Sequence, residues 1–172
     1  MRTIVITSLM ILSFSLFAQK EEIIGNLYID NGNIYYERID SFDIPIDSII
    51  PIIQNSLVKN NWQIINVENN SISANIDFSN DYKRFSMTSF KSCAQFGTQT
   101  RCNIFIQLKE GRYKVLVNSI EFYNSAIGWN STSLFTNREG KLSKPKCIKY
   151  GFEFVNAILN EKTKIVFENN DW

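Results

Sequence analysis

Side chains that commonly carry out chemistry are few in this chain. Its 172 residues include three cysteines, Cys93, Cys102 and Cys147, and no histidine. A Ser-His-Asp or Cys-His nucleophilic site, a His-ligated zinc and a histidine pH switch all need imidazole, so none of them can be built. The spacing of the cysteines also matches no zinc-binding pattern. We therefore expect no metal site and no bound cofactor.

The cysteines are expected to be structural, because a reactive thiolate needs a histidine or another strongly electropositive neighbour. Arg101 beside Cys102 and Lys146 beside Cys147 are weak substitutes. In an exported protein a disulfide is permitted, and Cys93 with Cys102 would close a small loop. Cys147 would then be a buried thiol. Pairing of Cys147 with either of the other two stays open, since sequence alone does not decide connectivity.

Paired carboxylates are another route to catalysis without histidine. In glycoside hydrolysis two carboxyl groups flank one bond about 5–10 Å apart. The acidic residues considered for this role are Glu37, Asp77, Asp81, Glu110 and Glu121. Each has an ordinary explanation as a surface residue, and no pattern pairs them. We therefore expect no catalytic residues, and keep a carboxylate-dependent hydrolase of an envelope or extracellular glycan as the alternative.

A binding role is suggested by the segment 123–144, which has no clear hydrophobic period. Tyr123, Trp129 and Phe135 lie there among flexible polar residues. Aromatic side chains on loops are typical contact residues, so these three are the candidate partner-binding residues. In the other interpretation they fold back as a lid over the core or the edge of the sheet.

Hydrophobic periodicity predicts the elements that must position these residues. A strand rich in aromatic and β-branched residues is predicted over Asn33–Ile39. A helix follows, whose apolar stripe is Ile49, Ile50, Ile53, Leu57 and Val58. Asp47 is the predicted N-cap of this helix, and Pro51 is predicted to lie in its first turn. The helix is predicted to end at Asn60.

Several strands follow in close succession. Strict alternation over Ser71–Phe78 is typical of a strand with one buried and one wet face. Three further strands are predicted at Trp62–Val67, Lys83–Phe90 and Cys102–Leu108. A short turn containing Gly111 joins the last of these to Arg112–Phe122 as a hairpin.

A second helix is predicted to begin near Pro145, a residue suited to a first helical turn. Its apolar face is formed by Ile148, Phe152, Val155 and Leu159. Gly151 is a weak point inside this helix, because glycine is a poor helix former.

The N-terminus has the pattern of a secretory signal peptide. Arg2 supplies one positive charge, and the fifteen residues Thr3–Phe17 carry none. Ala18 is a small residue before a polar run, so cleavage is predicted after it. A spanning helix needs about 20 apolar residues, more than this run offers. We expect export to the periplasm or the extracellular space, with no membrane anchor left after cleavage.

The charge balance argues against a nucleic-acid partner. Removal of residues 1–18 leaves equal numbers of basic and acidic side chains, because Arg2 accounts for the net charge of +1. Binding to nucleic acid needs excess cationic charge to neutralise phosphates. The basic stretch Lys141, Lys144, Lys146 and Lys149 is typical of a solvated helix start.

Taken in order, the predicted elements resemble a known family. The motifs that carry the resemblance are Gly32-Asn33-Ile34-Tyr35-Tyr36-Glu37-Arg38 in the first strand and Lys109-Glu110-Gly111-Arg112-Tyr113 at the late hairpin. They are similar to those of exported bacterial proteins of unknown function, although Glu110 stands where that family has an aspartate. The resemblance covers roughly Asn26 to Phe122. It implies a fold like one repeat of the TATA-box-binding protein (TBP-like), and no activity or functional residues.

We therefore predict an α+β, TBP-like domain over residues 19–172, after a signal peptide at 1–18. The expected sheet is antiparallel with about five strands, in the order β-α-β-β-β-β-α, and has two helices on one face. A loop insertion is expected around residues 123–144.

Helices on one face of a sheet leave its other face available for binding. The residues predicted to contribute to that face are Tyr35, Glu37, Ser73, Asn75 and Asp77. The function expected from the sequence is a non-catalytic binding or protein-interaction module of the cell envelope. Its partner would be a protein, a small ligand or a second copy of the chain.

Overall fold

Antiparallel strand pairing links most of the chain. The structure is a computed structural model that describes residues 20–81, 96–143 and 146–167. The signal peptide predicted at 1–18, the strand predicted at 83–90 and Cys93 lie outside the described residues. Within those three ranges no helix is long and apolar enough to cross a membrane.

In the described part of the chain, eight strands form one sheet. They are β1 (Glu21–Ile24), β2 (Leu27–Asp30), β3 (Asn33–Ser41), β4 (Gln63–Glu68), β5 (Ser71–Ser79), β6 (Gln99–Lys109), β7 (Arg112–Asn124) and β8 (Gly128–Ser131). Neighbouring strands follow the order β1-β2-β3-β7-β6-β5-β4, and β8 also pairs with β7. All of these pairs are antiparallel.

The prediction of about five strands was wrong because three short strands escaped it. β1, β2 and β8 have four residues each, too few for a period of two to stand out. Asn31 and Gly32 join β2 to β3 with φ of 49° and 79°. Two positive φ values in succession are the signature of a tight hairpin turn that Asn-Gly favours. β8 lies in the segment predicted as a loop insertion.

The described residues also form two α-helices: α1 spans Ile46–Lys59 and α2 spans Lys146–Lys162. Pro45, not Asp47, holds the N-cap position of α1, and Pro51 lies in the second turn. There Pro51 removes one backbone hydrogen bond of the helix. Asn60 is the C-cap and Asn61 has φ of 66°, a left-handed conformation that asparagine tolerates. The predicted end of α1 is therefore confirmed.

One face of the sheet is buried against both helices. Along β6 every second side chain is buried, from Thr100 to Leu108. The helices add their apolar stripes to the same core: Ile49, Ile53, Leu57, Ile148, Phe152, Val155 and Leu159. Val58, predicted for the stripe of α1, is instead 60% exposed because it lies at the edge of that face. On the opposite face of the sheet, the described residues place no helix.

Four phenylalanines form the aromatic centre of the core. Phe96, Phe122, Phe135 and Phe152 are each fully buried. The Phe96 ring stacks on Phe135 with centroids 4.4 Å apart and meets Phe152 edge-on at 5.1 Å. These are the offset and edge-to-face arrangements that aromatic rings prefer. The cluster joins β7, α2 and the short 3₁₀ helix Thr132–Phe135.

Gly151 allows this cluster to form. A Cβ atom at position 151 would lie 2.2 Å from Cε2 and 2.4 Å from Cζ of the Phe96 ring. Such distances are far below van der Waals contact, so only glycine lets the ring approach the axis of α2 this closely. The residue that looked like a weak point of the helix is thus required by packing.

The C-terminal end of α2 is held by side chains from β3 and from the residue that precedes β4. Arg38 Nη2 donates a hydrogen bond to the carbonyl of Thr163 at 2.9 Å. Trp62 Nε1 donates to the carbonyl of Lys162 at 2.8 Å. The last carbonyls of a helix have no partner inside the helix, and a nearby cation stabilises the negative end of its dipole. These contacts therefore position α2 on the sheet.

Asn160 adds a second set of links between α2 and the strands. The Tyr36 hydroxyl donates to Asn160 Oδ1 at 2.8 Å, and Asn26 Nδ2 donates to the same oxygen at 2.9 Å. Arg38 is paired with Asp40 at 2.6 Å. Burial acts to lower the pKa of Arg38, but electrostatic interaction with Tyr36 and with the Asp40 carboxylate outweighs it and raises that pKa. The guanidinium therefore stays charged in its half-buried position.

The structure corrects the predicted bridge between Cys93 and Cys102. Cys102 is a free thiol, 2% exposed, because its side chain points into the core from β6. Burial, with a smaller contribution from Asp77, raises the pKa of this thiol, so it stays protonated and unreactive. Cys147 at the start of α2 is disulfide-bonded. A bridge that includes Cys147 is one of the pairings that the sequence left open.

Replacement of Gly151 by alanine should destabilise the protein. Alanine normally favours a helix interior by about 1 kcal/mol over glycine, but here its methyl group meets the Phe96 ring. We expect the free energy of unfolding to fall by about 1–3 kcal/mol, the usual cost of overpacking. Urea denaturation followed by circular dichroism measures it. A Phe96→Leu background should reduce the loss, and a Gly151→Ala protein more stable than the wild type would contradict this account.

Arg38→Ala should lower the free energy of unfolding by about 2–3 kcal/mol, because it leaves buried carbonyls of α2 without a charged donor. Arg38→Lys should restore little of this, since one ammonium cannot replace the planar fork of a guanidinium. Arg101→Ala on the uncovered face is the matched control, with an expected loss of about 0–1 kcal/mol for an exposed ion pair. Equal losses at the two arginines would refute the structural role of Arg38.

Candidate functional site

The uncovered side of the sheet, here called the open face, is formed by the outward side chains of β3 to β7. All five residues predicted for it, Tyr35, Glu37, Ser73, Asn75 and Asp77, lie on this side, because the residues alternating with them are buried. The central strands β6 and β7 add further polar side chains. The open face is therefore mainly polar, with Phe105 and Ile39 as exposed apolar residues.

Charged residues from three strands meet in one line across the open face. Register places Asp77 opposite Arg101, and Arg101 opposite Glu121. The Arg101 guanidinium forms an ion pair with Glu121. It also lies 4.3 Å from the centre of the Trp129 ring, a cation–π distance. The ring of Trp129 is in turn 5.4 Å from that of Tyr123.

Amide side chains form a second line next to the charged one. Gln63, Asn75, Asn103 and Asn118 are successive partners across β4, β5, β6 and β7, and we call them the amide row. Within the described ranges, none of the four side chains makes a hydrogen bond to the protein. Each amide offers two donors and an acceptor to whatever lies on the open face.

A bulge in β7 shapes the space above the amide row. Register shifts between Arg101 and Asn103, and Ser119 takes a left-handed φ of 50°. As a result the consecutive residues Asn118 and Ser119 are both exposed on the open face. Bulges commonly re-aim side chains in this way. The result is a groove of about 420 Å³, lined by most of the amide row and by Asp77, Arg101 and Glu121.

A second groove, of about 640 Å³, lies between β3 and β8. The groove exists because β3 and β8 both pair with the same edge of β7, at different places along it. Residues 112–117 of β7 pair with β3, and residues 121–124 pair with β8. Residues 118–120 between them have no partner strand on that side. The groove is lined by Tyr35, Glu37, Lys114 and Asn118 together with Ser131 and Ser133.

Glu37 is the most strongly paired carboxylate on the open face. Lys20 Nζ lies 2.6 Å from its Oε1 and Lys114 Nζ lies 2.8 Å from its Oε2. Burial acts to raise the pKa of Glu37, but these two ammonium groups outweigh it and lower the pKa. Lys20 also lies over the Tyr28 ring, 3.7 Å from its centre. Glu37 is thus an ionised structural partner and not a proton donor.

The remaining acidic candidates are brought together only in part. Asp77 and Glu121 line the same groove, on opposite sides of Arg101. Asp81 follows the end of β5, and Glu110 is an exposed residue of the turn between β6 and β7. A glycosidase needs one carboxyl group that donates a proton to the leaving oxygen. Here Glu121 accepts a hydrogen bond from Arg101, and Asp77 lies on the other side of that guanidinium, so the two carboxylates are arranged around a cation.

The three aromatic candidates divide between core and surface. Phe135 is 0% exposed and packs in the phenylalanine cluster, which corrects its assignment as a contact residue. Tyr123 and Trp129 are half-buried and lie at the end of the open face, on β7 and β8. Phe135 therefore follows the lid interpretation, because its ring fills the space beside Phe122.

The geometry does not support a metal site or a nucleophilic serine among the described residues. In residues 20–81, 96–143 and 146–167, no group of three or more cysteine, aspartate or glutamate side chains could hold a metal ion. Ser56 and Lys59 have the S-x-x-K spacing of some nucleophilic serines, which the sequence reasoning overlooked. Ser56 is 4% exposed, and its Oγ accepts a hydrogen bond from the backbone N–H of Val166. A buried and occupied hydroxyl has a structural role.

The amide row itself was missed in the sequence, except for Asn75. Alternation along β5 and along the hairpin of β6 and β7 could have identified the outward positions. Which of these positions lie side by side depends on register and on the bulge at Ser119. A local sequence pattern gives neither the strand register nor the position of the bulge.

Comparison with known proteins relates this fold to a solved structure. No family model matches the chain, and no curated protein is significantly similar to it in sequence. A structurally similar protein is a DUF4468 family protein from Bacteroides ovatus ATCC 8483, whose crystal structure superposes with a TM-score of 0.52. The identity is 14%, over 80% of this chain and 86% of that one. The likeness thus concerns the fold alone: the chain shares its α+β architecture with a bacterial domain of unknown function.

Proposed function

We propose that this protein is an exported, non-catalytic binding module that uses the open face of its sheet. The observation that supports this most is the one-sided core: both helices cover one face, and the other presents two grooves. Among the described residues, the amides Gln63, Asn75 and Asn103 of the first groove make no hydrogen bond to the protein. Concave sites with a few convergent polar groups are the usual places where small ligands bind.

A binding role accounts for the charged residues better than catalysis does. Arg101 separates Asp77 from Glu121 and is ion-paired with the latter. Glu37 is held by two lysines. Since each of these carboxylates faces a cation, the open face has charges fixed in place for recognition. We therefore favour binding over the hydrolase alternative.

Export and the TBP-like fold are parts of the same proposal. Export is supported by three successive features of the N-terminus: the positive charge of Arg2, the uncharged run Thr3–Phe17 and the small residue Ala18. A TBP-like fold is supported by an antiparallel sheet with two helices on one face. An exported domain meets envelope components, which makes a protein or ligand of the envelope its natural partner.

Charge reversal should separate the open face from the helical side. Arg101→Glu places three acidic side chains in one line and should abolish capture of any partner bound there. Lys149→Glu, on the exposed side of α2, is the matched control and should bind as the wild type does. Crosslinked pull-down from the native envelope, followed by quantitative mass spectrometry, measures how much partner each variant captures relative to the wild type. Equal capture by both variants, or no capture by the wild type at low salt, would contradict the proposal.

Export predicts a processed N-terminus. Expressed from its full sequence, the protein should appear outside the cytoplasm, with a chain that begins at Gln19. Intact-mass measurement of the periplasmic and secreted fractions checks this. Arg2→Glu removes the positive charge before the uncharged run and should cause unprocessed chain to accumulate. Full-length protein found only in the cytoplasm of the native host would refute export.

A further inference from the structure

We propose that the amide row, with Asp77, Arg101 and Glu121 beside it, binds an uncharged glycan. This inference rests on the proposed binding function and names the ligand class of the same face. It is carried by the alignment of four amides on adjacent strands, none of which has a hydrogen-bond partner among the residues that the structure describes.

The hydrogen-bonding groups of the groove match those of a sugar. Each sugar hydroxyl is both a donor and an acceptor, so neighbouring hydroxyls are best met by side chains that offer both. An amide does so, whereas a carboxylate only accepts and a guanidinium only donates. The groove contains all three kinds in adjacent positions: Asn75 and Asn103 next to Asp77, Arg101 and Glu121.

The dimensions also suit an extended polar chain. Neighbouring strands lie about 4.8 Å apart, so four amides span roughly 14 Å across the sheet. The groove volume of about 420 Å³ falls within the range of small-ligand sites, about 300–1,000 Å³. It is open along the amide row, from Gln63 on the edge strand to Ser119 on β7.

The charges exclude anionic ligands. One guanidinium lies between two carboxylates, so the groove carries a small excess of negative charge. Nucleic acids and acidic glycans would be repelled, since like charge at short range is unfavourable. An uncharged ligand meets no such barrier and can still use Asp77 and Glu121 as acceptors.

A protein partner fits the amide row less well. Protein interfaces have a central core enriched in apolar and aromatic residues and depleted in charge. The amide row and its charged neighbours contain no apolar side chain at their centre. Phe105 follows Asn103 on the outward side of β6, beside the row, and Trp129 and Tyr123 contact each other near Arg101 at the end of the groove. An aromatic ring at the end of a polar groove can take the apolar side of a sugar ring.

The test uses the full domain, residues 19–172, and two uncharged probes, chitotetraose and cellotetraose. Addition of each probe to ¹⁵N-labelled protein should shift the side-chain NH₂ signals of Asn75 and Asn103 in a saturable way. Asn75→Ala with Asn103→Ala should weaken the titrated affinity at least tenfold. Asn103→Asp, which keeps the shape of the side chain and removes its donors, should also weaken it.

Gln107→Ala is the matched control, because Gln107 is an exposed amide on the same strand and the same face, outside the row. The affinity of the Gln107→Ala variant for each probe should equal that of the wild type. Backbone amide spectra verify that each variant is folded. Failure of both probes to shift the amide row overturns the glycan inference. If partner capture from the envelope still depends on Arg101 in that case, the binding function stands without it. If capture is also lost, both proposals fail.

Discussion

The hydrogen bonds that satisfy the last carbonyls of α2 determine how this domain is arranged. Arg38 and Trp62 donate to those carbonyls from the sheet side. Because a buried helix end without partners would be costly, α2 must end over β3 and the start of β4. Gly151 then brings the middle of the helix against Phe96. These two local requirements determine where α2 lies on the sheet and how closely it packs against it.

A helix layer held on one side leaves the other side of the sheet to solvent. The open face is therefore a consequence of one-sided packing, and its side chains are polar because they alternate with the core. Its grooves come from irregularities of β7: the bulge at Ser119 and the edge shared by β3 and β8. Recognition is proposed at the place where regular pairing is interrupted.

Regular features of the fold were predictable from particular residues. Alternation over Ser71–Phe78 identified both faces of β5, and the glycine turn at Gly111 identified the hairpin of β6 and β7. Short strands were not predictable in the same way, because four residues carry almost no period. Phe135 was assigned to the surface since sequence proximity to Trp129 says nothing about which ring turns inward.

By itself the sequence determined which chemistries are absent, where the two long helices lie and which positions of the central strands face outward. These properties depend on residue type and on local period alone. The tertiary structure decided which outward residues become neighbours: the amide row, and Asp77 beside Arg101 and Glu121. It also left Cys102 as a free, buried thiol. Such pairings join residues far apart in the chain, and strand register, which sets them, is a property of the whole sheet.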